Sequence, residues 1–170
     1  MQQNLYVISG VTGMTGNELA RQLLHSGHRV IGFDNFFASS PDSVKDLREN
    51  PAFLFFEYDL NDEGQMEDIR HRAKEWLPGD GRMIYINCAA VVHTEHFYEV
   101  EHTFETNVMG MKKFLEQAIE NGADTYVNCS LRKYIRCNRG MKQEAYAKMI
   151  ICCWLQRNIA SGPVMLWENY

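Results

Sequence analysis

Leu5-Tyr6-Val7-Ile8-Ser9-Gly10-Val11-Thr12-Gly13-Met14-Thr15-Gly16 is the stretch whose reading decides the fold. Its first four residues are an apolar run of strand type, followed by three spaced glycines. An amphipathic segment, Asn17–His25, continues with apolar residues at Leu19, Ala20, Leu23 and Leu24. Strand, glycine turn and helix in that order turn a glycine pattern into a phosphate-binding expectation. Gly10 allows a tight turn, Gly13 a close approach of backbone to a pyrophosphate, and Gly16 the packing of helix on strand. The start of the helix adds unpaired N–H groups and a partial positive charge.

A second signal stands at the expected distance. Val30-Ile31-Gly32-Phe33 reads as the next strand, with Asp34 at its end. A carboxylate there accepts both hydroxyls of an adenosine ribose and repels a 2′-phosphate. The competing reading is that Asp34 only opens a turn before Asn35. The two signals together point to NAD rather than NADP.

The bulk properties narrow the class. A chain of 170 residues fits one domain, taken here as 1–170, and can bury a substantial core. A content of 45% hydrophobic and 23% charged residues is that of a soluble globule, and the net charge of −5 provides no basic field for nucleic acid. No apolar run approaches the roughly 20 residues of a membrane span. The first strand begins too early for a secretory signal to precede it. Cys88, Cys129, Cys137, Cys152 and Cys153 lack metal-ligand spacing and read as reduced thiols of a cytoplasmic protein. His93, His96 and His102 lie close in sequence, but no acid or cysteine accompanies them at a recognised spacing, so no metal is expected.

Strands and helices alternate along the chain, the pattern of a parallel sheet covered on both faces. Ser40-Pro41 reads as a helix start, with a short helix over Ser43–Glu49. Phe53-Leu54-Phe55-Phe56 reads as a buried third strand running into Glu57-Tyr58-Asp59-Leu60. Asp59 there either reaches an adenine or caps the helix that follows. Asp62–Trp76 reads as a helix with Met66, Ile69, Ala73, Trp76 and Leu77 inward, ended by Pro78-Gly79-Asp80-Gly81. Met83-Ile84-Tyr85-Ile86 is the fourth strand, and the small residues after it leave room for a flat ligand or for tight packing.

Glu95–Asn121 reads as one long helix with Phe104, Val108, Met111, Leu115 and Ile119 at helical spacing. Asn107 within it is either a structural hydrogen-bonding node or a ligand contact. Gly122 ends that helix. Strand five covers Thr125–Cys129, a last helix Met141–Ile159, and a sixth strand Pro163–Trp167. The expected architecture is a doubly wound parallel sheet of order 3-2-1-4-5-6.

On these residues the chain resembles the extended short-chain dehydrogenase/reductase family, and within it the NAD-dependent epimerase/dehydratases of nucleotide sugars. Gly10–Gly16 looks like that family's GxxGxxG loop, which implies a Rossmann-type domain with Gly10, Thr12, Gly13, Met14, Thr15 and Gly16 around the cofactor phosphates. Asp34-Asn35 is similar to the adenosine-ribose contact and Asp59-Leu60 to the pair flanking adenine. Cys88-Ala89-Ala90 resembles the strand end beside the cofactor. Thr106-Asn107-Val108 with Gly110 resembles the Thr-Asn-Val-x-Gly helix. By the same likeness Ala89, Ala90, Asn107 and Lys148 are cofactor contacts, and Ser130 takes the catalytic Ser/Thr position.

The likeness breaks at the catalytic pair. Family members carry Tyr-x-x-x-Lys, whose spacing sets a phenol and an ammonium on one helical face. Lys148 matches the Lys, but Glu144 stands at the Tyr position and Tyr146 is only two residues from Lys148. In the family mechanism the Tyr exchanges a proton with the sugar hydroxyl while hydride moves to or from the nicotinamide. The substrate-binding region that extended members carry after strand six is also not expected in these residues. Two readings follow. One is an NAD-dependent enzyme of nucleotide-sugar type using Ser130, Glu144 and Lys148. The other is a non-catalytic NAD-binding regulatory or interaction module. The family's habit of pairing its long helices implies a homodimer in either case.

Overall fold

The computed structural model describes residues 2–91, 99–132 and 150–157. Strands β1 (Leu5–Ser9), β2 (Arg29–Asp34), β3 (Phe53–Glu57), β4 (Met83–Asn87), β5 (Thr125–Arg132) and β6 (Ile150–Arg157) form one sheet of order β3-β2-β1-β4-β5-β6. The first five are parallel, with Ile8 level with Gly32 on one side and Ile86 on the other.

Side chains alternate across this sheet with the period of two that a strand imposes. Leu5, Val7, Ile31, Phe33, Met83, Tyr85 and Tyr126 enter one core. That core is closed by Met66, Ile69 and Ala73 of α2 (Glu63–Trp76) and by Phe114 and Ala118 farther along the chain. Ile8, Val30, Ile84, Ile86 and Val127 enter the opposite core, under Ala20 and Leu24 of α1 (Met14–His25). Strands covered on both faces need near-continuous apolar sequence, and β1, β2 and β4 have it.

The element boundaries follow local chemistry. Asp62 accepts a hydrogen bond from the Gln65 N–H and is the N-cap of α2. Ser40 caps a short 3₁₀ turn, Pro41–Val44, and a second such turn follows at Leu47–Glu49, in place of the single helix expected over Ser43–Glu49. The long helix is α3 (Val100–Phe104), a π-helical segment (Glu105–Gly110) and α4 (Met111–Glu120). Gly122, at φ +72°, ends it, and the Ala123 N–H reaches back to the Ala118 carbonyl.

Two expectations are corrected. The inward face of the long helix is Gly110, Phe114, Gln117, Ala118 and Asn121, while Phe104, Val108 and Ile119 are exposed. Gly110 sets this rotation, because a Cβ there would stand 3.0 Å from both Leu60 Cδ2 and Asn61 Oδ1. A backbone that fits so close holds the glycine inward; of the apolar stripe one residue out of phase, Leu115 still packs against the core, while Phe104, Val108 and Ile119 are left exposed. The second correction concerns the last helix, expected over Met141–Ile159. Ile150–Arg157 within it is strand β6, antiparallel to β5, with Cys129 opposite Cys153. A continuous apolar run such as Ile150–Leu155 fits a buried helix or a buried strand equally by pattern alone, and the open edge of β5 selects the strand. The strand expected at Pro163–Trp167 lies outside the described residues.

Candidate nucleotide-binding site

The glycine turn lies at the C-terminal end of β1, where the strand order changes direction, the position at which open α/β sheets bind ligands. Gly10 has φ +69°, and a Cβ on it would fall 2.5 Å from the Ala89 nitrogen. At Gly16 a Cβ would fall 2.3 Å from the Gly10 oxygen. Both glycines are therefore demanded by the protein's own backbone. Gly13 differs. It has φ −72°, a value open to any residue, and the nearest atom to its added Cβ is the Gly10 oxygen at an ordinary 3.4 Å. Nothing in the described protein requires a glycine there.

Gly13 is also the N-cap of α1, with no side-chain hydrogen bond to the helix start and no acidic residue in the first turn. The first N–H groups of a helix lack intrahelical partners and carry the positive end of its dipole. Met14 is 76% exposed at this edge, Thr15 is half-buried beside it, and Gly16 is buried.

Asp34 is held directly against the turn. Its Oδ2 accepts from the Thr12 N–H at 3.2 Å and its Oδ1 from the Phe36 N–H at 2.9 Å. A carboxylate has about four acceptor sites, so these two bonds orient the group and leave acceptor capacity. Thr12 itself is 4% exposed, with its hydroxyl 2.5 Å from the Ser39 hydroxyl. Phe36 has φ +58°, a strained value for a bulky side chain. Asn35 donates from Nδ2 to Asp59 Oδ2 at 2.9 Å, which ties the ends of β2 and β3 together. Asp59 does not cap α2. Its other oxygen accepts from the Asn61 N–H, and Asp62 is the cap. Leu60 is 5% exposed and packs in the core beside Gly110.

The exit of β4 forms the opposite wall. Asn87 is 3% exposed, and its Oδ1 accepts from the Ser9 hydroxyl at 2.5 Å and the Ala89 N–H at 3.2 Å. Its Nδ2 donates to Asn128 Oδ1 at 2.8 Å, so one side chain joins the ends of β1, β4 and β5. Asn107, from the π-helical segment, accepts from the Val91 N–H at 2.7 Å and donates to the Val91 carbonyl at 3.0 Å. Of the two roles open to it, the hydrogen bonds are those of a structural node that fixes the segment carrying Ala89 and Ala90.

The Ser9–Asn87–Asn128 network is visible only in the fold. Its signal was a polar residue closing each of three apolar strand runs. The structure brings Gly10, Thr12, Gly13, Met14, Thr15, Gly16, Asp34, Asn35 and Asp59 to one edge, with Ala89, Ala90 and Asn107 across the turn from them. Ser130 lies on β5, its backbone opposite Cys152. Glu144, Lys148 and Tyr146 lie outside the described residues, as do His93 and His96. The ring of His102 stands against Phe37 at 4.5 Å.

This arrangement of turn, helix start and strand-end acids has a counterpart in known proteins. The model of the NAD dependent epimerase/dehydratase family matches residues 6–132. The chain belongs to this family. Among curated proteins, it is 30% identical over 117 residues to UDP-glucuronic acid decarboxylase 1 of Arabidopsis thaliana, covering 69% of this chain and 24% of that protein. It is 26% identical over 141 residues to an uncharacterised 37.6 kDa protein of Escherichia coli O111:H-, covering 80% of this chain and 40% of that one. Among solved structures, UDP-glucose 4-epimerase of Thermotoga maritima shares the fold with a TM-score of 0.65 at 21% identity, over 78% of this chain and 41% of the epimerase. The Bordetella bronchiseptica enzyme WbmG, solved with NAD, gives 0.63 at 20% identity, over 75% of this chain and 37% of WbmG. The chain thus spans less than half the length of these relatives. Among the described residues no helix is long and apolar enough to cross a membrane.

Proposed function

We propose that this family member binds NAD across the glycine turn, in a single nucleotide-binding domain spanning residues 1–170. The observation that carries the reading is Gly13, a glycine that no described protein atom requires, at the start of a helix whose first N–H groups lack a side-chain cap. The residues present fit a dinucleotide. The Gly13 N–H closes the turn onto the Gly10 carbonyl at 3.2 Å, so the pyrophosphate takes the N–H groups of Met14 and Thr15, while Gly10 and Gly16 hold the turn. Asp34 takes the adenosine ribose hydroxyls, with Asn35, Asp59 and Leu60 beside the adenine and Ala89 and Ala90 along the β4 exit. A bound NAD supplies hydride acceptance and return.

The substrate class proposed is a nucleotide sugar, as the names of the UDP-sugar relatives suggest. Ser130 would hold the reacting oxygen and Lys148 the nicotinamide ribose, with Glu144 as the proton acceptor. Glu144 in place of a phenol also favours a second reading, a non-catalytic NAD-binding module. Turnover of NAD with UDP-sugars supports the first; NAD binding without turnover supports the second. The exposed stripe Val100, Phe104 and Val108 is proposed to pair with a second copy of the chain, and sedimentation as a monomer at micromolar concentration would contradict that.

Titration calorimetry with NAD⁺ and NADP⁺ tests the cofactor assignment. The parent chain is expected to bind NAD⁺ at least tenfold more tightly, because the Asp34 carboxylate opposes a 2′-phosphate. Asp34→Asn removes the charge and keeps an acceptor for one of the two N–H groups, Thr12 or Phe36, and should narrow the gap. A folded chain that binds neither nucleotide overturns the proposal.

A further inference from the structure

We propose that Cys88 and Cys129 form a redox site that closes reversibly to a disulfide across the ends of β4 and β5. Their sulfur atoms lie 3.6 Å apart, and both residues are half-buried. The backbone suits the bond. Asn87 is in register with Asn128, so Cys88 and Cys129 are the next step along neighbouring parallel strands. Such strands lie about 4.8 Å apart, inside the roughly 4.4–6.8 Å range of Cα separations that disulfides span. Closing the sulfurs to about 2.05 Å needs an approach of about 1.5 Å, within the scope of side-chain rotation.

The chemistry balances with a peroxide as oxidant. One thiolate attacks a peroxide oxygen; the S–O bond forms, the O–O bond breaks, and the departing hydroxide takes a proton to become water. The second thiolate attacks the resulting sulfenic sulfur; the S–S bond forms, the S–O bond breaks, and a second water leaves. Two thiols lose two electrons and two protons, and hydrogen peroxide is reduced to two waters. A dithiol reductant reverses the change. The consequence is local: the Cys88 carbonyl carbon lies 2.7 Å from where a Gly10 Cβ would be, so the new bond ties the wall behind the glycine turn to β5. The site stands whether or not the turn binds NAD.

The test is peptide mapping of the full chain after brief treatment with hydrogen peroxide, alkylation and digestion without reductant. The expected product is a peptide pair joined through Cys88 and Cys129, with the loss of two alkylatable thiols, restored by dithiothreitol. The pair should form equally in a Cys137→Ala, Cys152→Ala, Cys153→Ala triple variant and disappear in Cys88→Ala. Should Cys88→Ala not fold, the triple variant decides alone, since only two cysteines remain in it. Linkage of Cys129 to Cys152 or Cys153 in the parent, or oxidation of either thiol to sulfinic acid without a cross-link, would overturn the proposal.

Discussion

The glycine turn and the exit of β4 touch each other at Gly10 and Ala89, yet they are built on opposite terms. The β4 exit satisfies itself: Asn87 bonds Ser9, Ala89 and Asn128, and Asn107 takes both backbone groups of Val91. The turn leaves its helix start uncapped, with space above Gly13 and an oriented carboxylate beside it. A closed polar network makes a rigid wall, whereas uncapped N–H groups at a helix start make a receiver for an anion. On the proposed reading, the difference separates residues that support the site from residues that would meet the ligand.

The largest effect is expected where the two regions meet. Gly10→Ala combines a left-handed backbone, about 1–2 kcal/mol, with overpacking against Ala89, about 1–3 kcal/mol. Urea denaturation should show a loss of that combined order, and nucleotide binding should fall with it. Breaking the wall alone should cost less. Asn87→Ala strands the Ser9 hydroxyl and the Asn128 amide, so a loss of about 1–3 kcal/mol is expected by the same measurement.

A pH titration sharpens the same comparison. Tyr85 lies in the core beneath the wall, and burial raises its phenol above the ordinary value of 10.0. The folded state therefore favours the neutral phenol; its contribution is fully present below about pH 10 and is lost as pH rises beyond it. Tyr85→Phe should flatten the alkaline decline in stability. The smallest effect belongs to an exposed pair on α2. The hydrogen bond from Arg72 lowers the Asp68 carboxyl, so its contribution is present above the ordinary carboxylate range and lost on acidification. The two side chains are 45% and 36% exposed, and Arg72→Ala should cost less than about 1 kcal/mol.

Legibility in the sequence tracked how local the determinant was. β1, the turn and β2 could be read because Gly10, Gly16 and the apolar runs act on their immediate neighbours. Asp62 rather than Asp59 caps α2 because cap geometry depends on the angle at which the chain enters the helix, which a polar run does not reveal. The rotation of the long helix rests on Gly110 meeting Leu60 about 50 residues away, a contact that hydrophobic spacing alone does not express. Segment Ile150–Arg157 carries a helix pattern in sequence but is a strand in the fold, since its state depends on the edge that β5 presents. The placement of Asp34 beside the glycine turn was legible from its distance along the chain. The hydrogen bonds that aim it, from Thr12 and Phe36, became visible only with the fold.

The central claim is that Gly13 is kept for a ligand rather than for the protein. Gly13→Ala tests it most directly, with thermal unfolding and NAD⁺ titration made on the same preparation. The account predicts stability within about 1 kcal/mol of the parent, since the added Cβ meets only ordinary contact, together with at least a tenfold loss of NAD⁺ affinity. A variant that binds NAD⁺ as the parent does would contradict it, as would one that loses stability to the degree expected for Gly10→Ala.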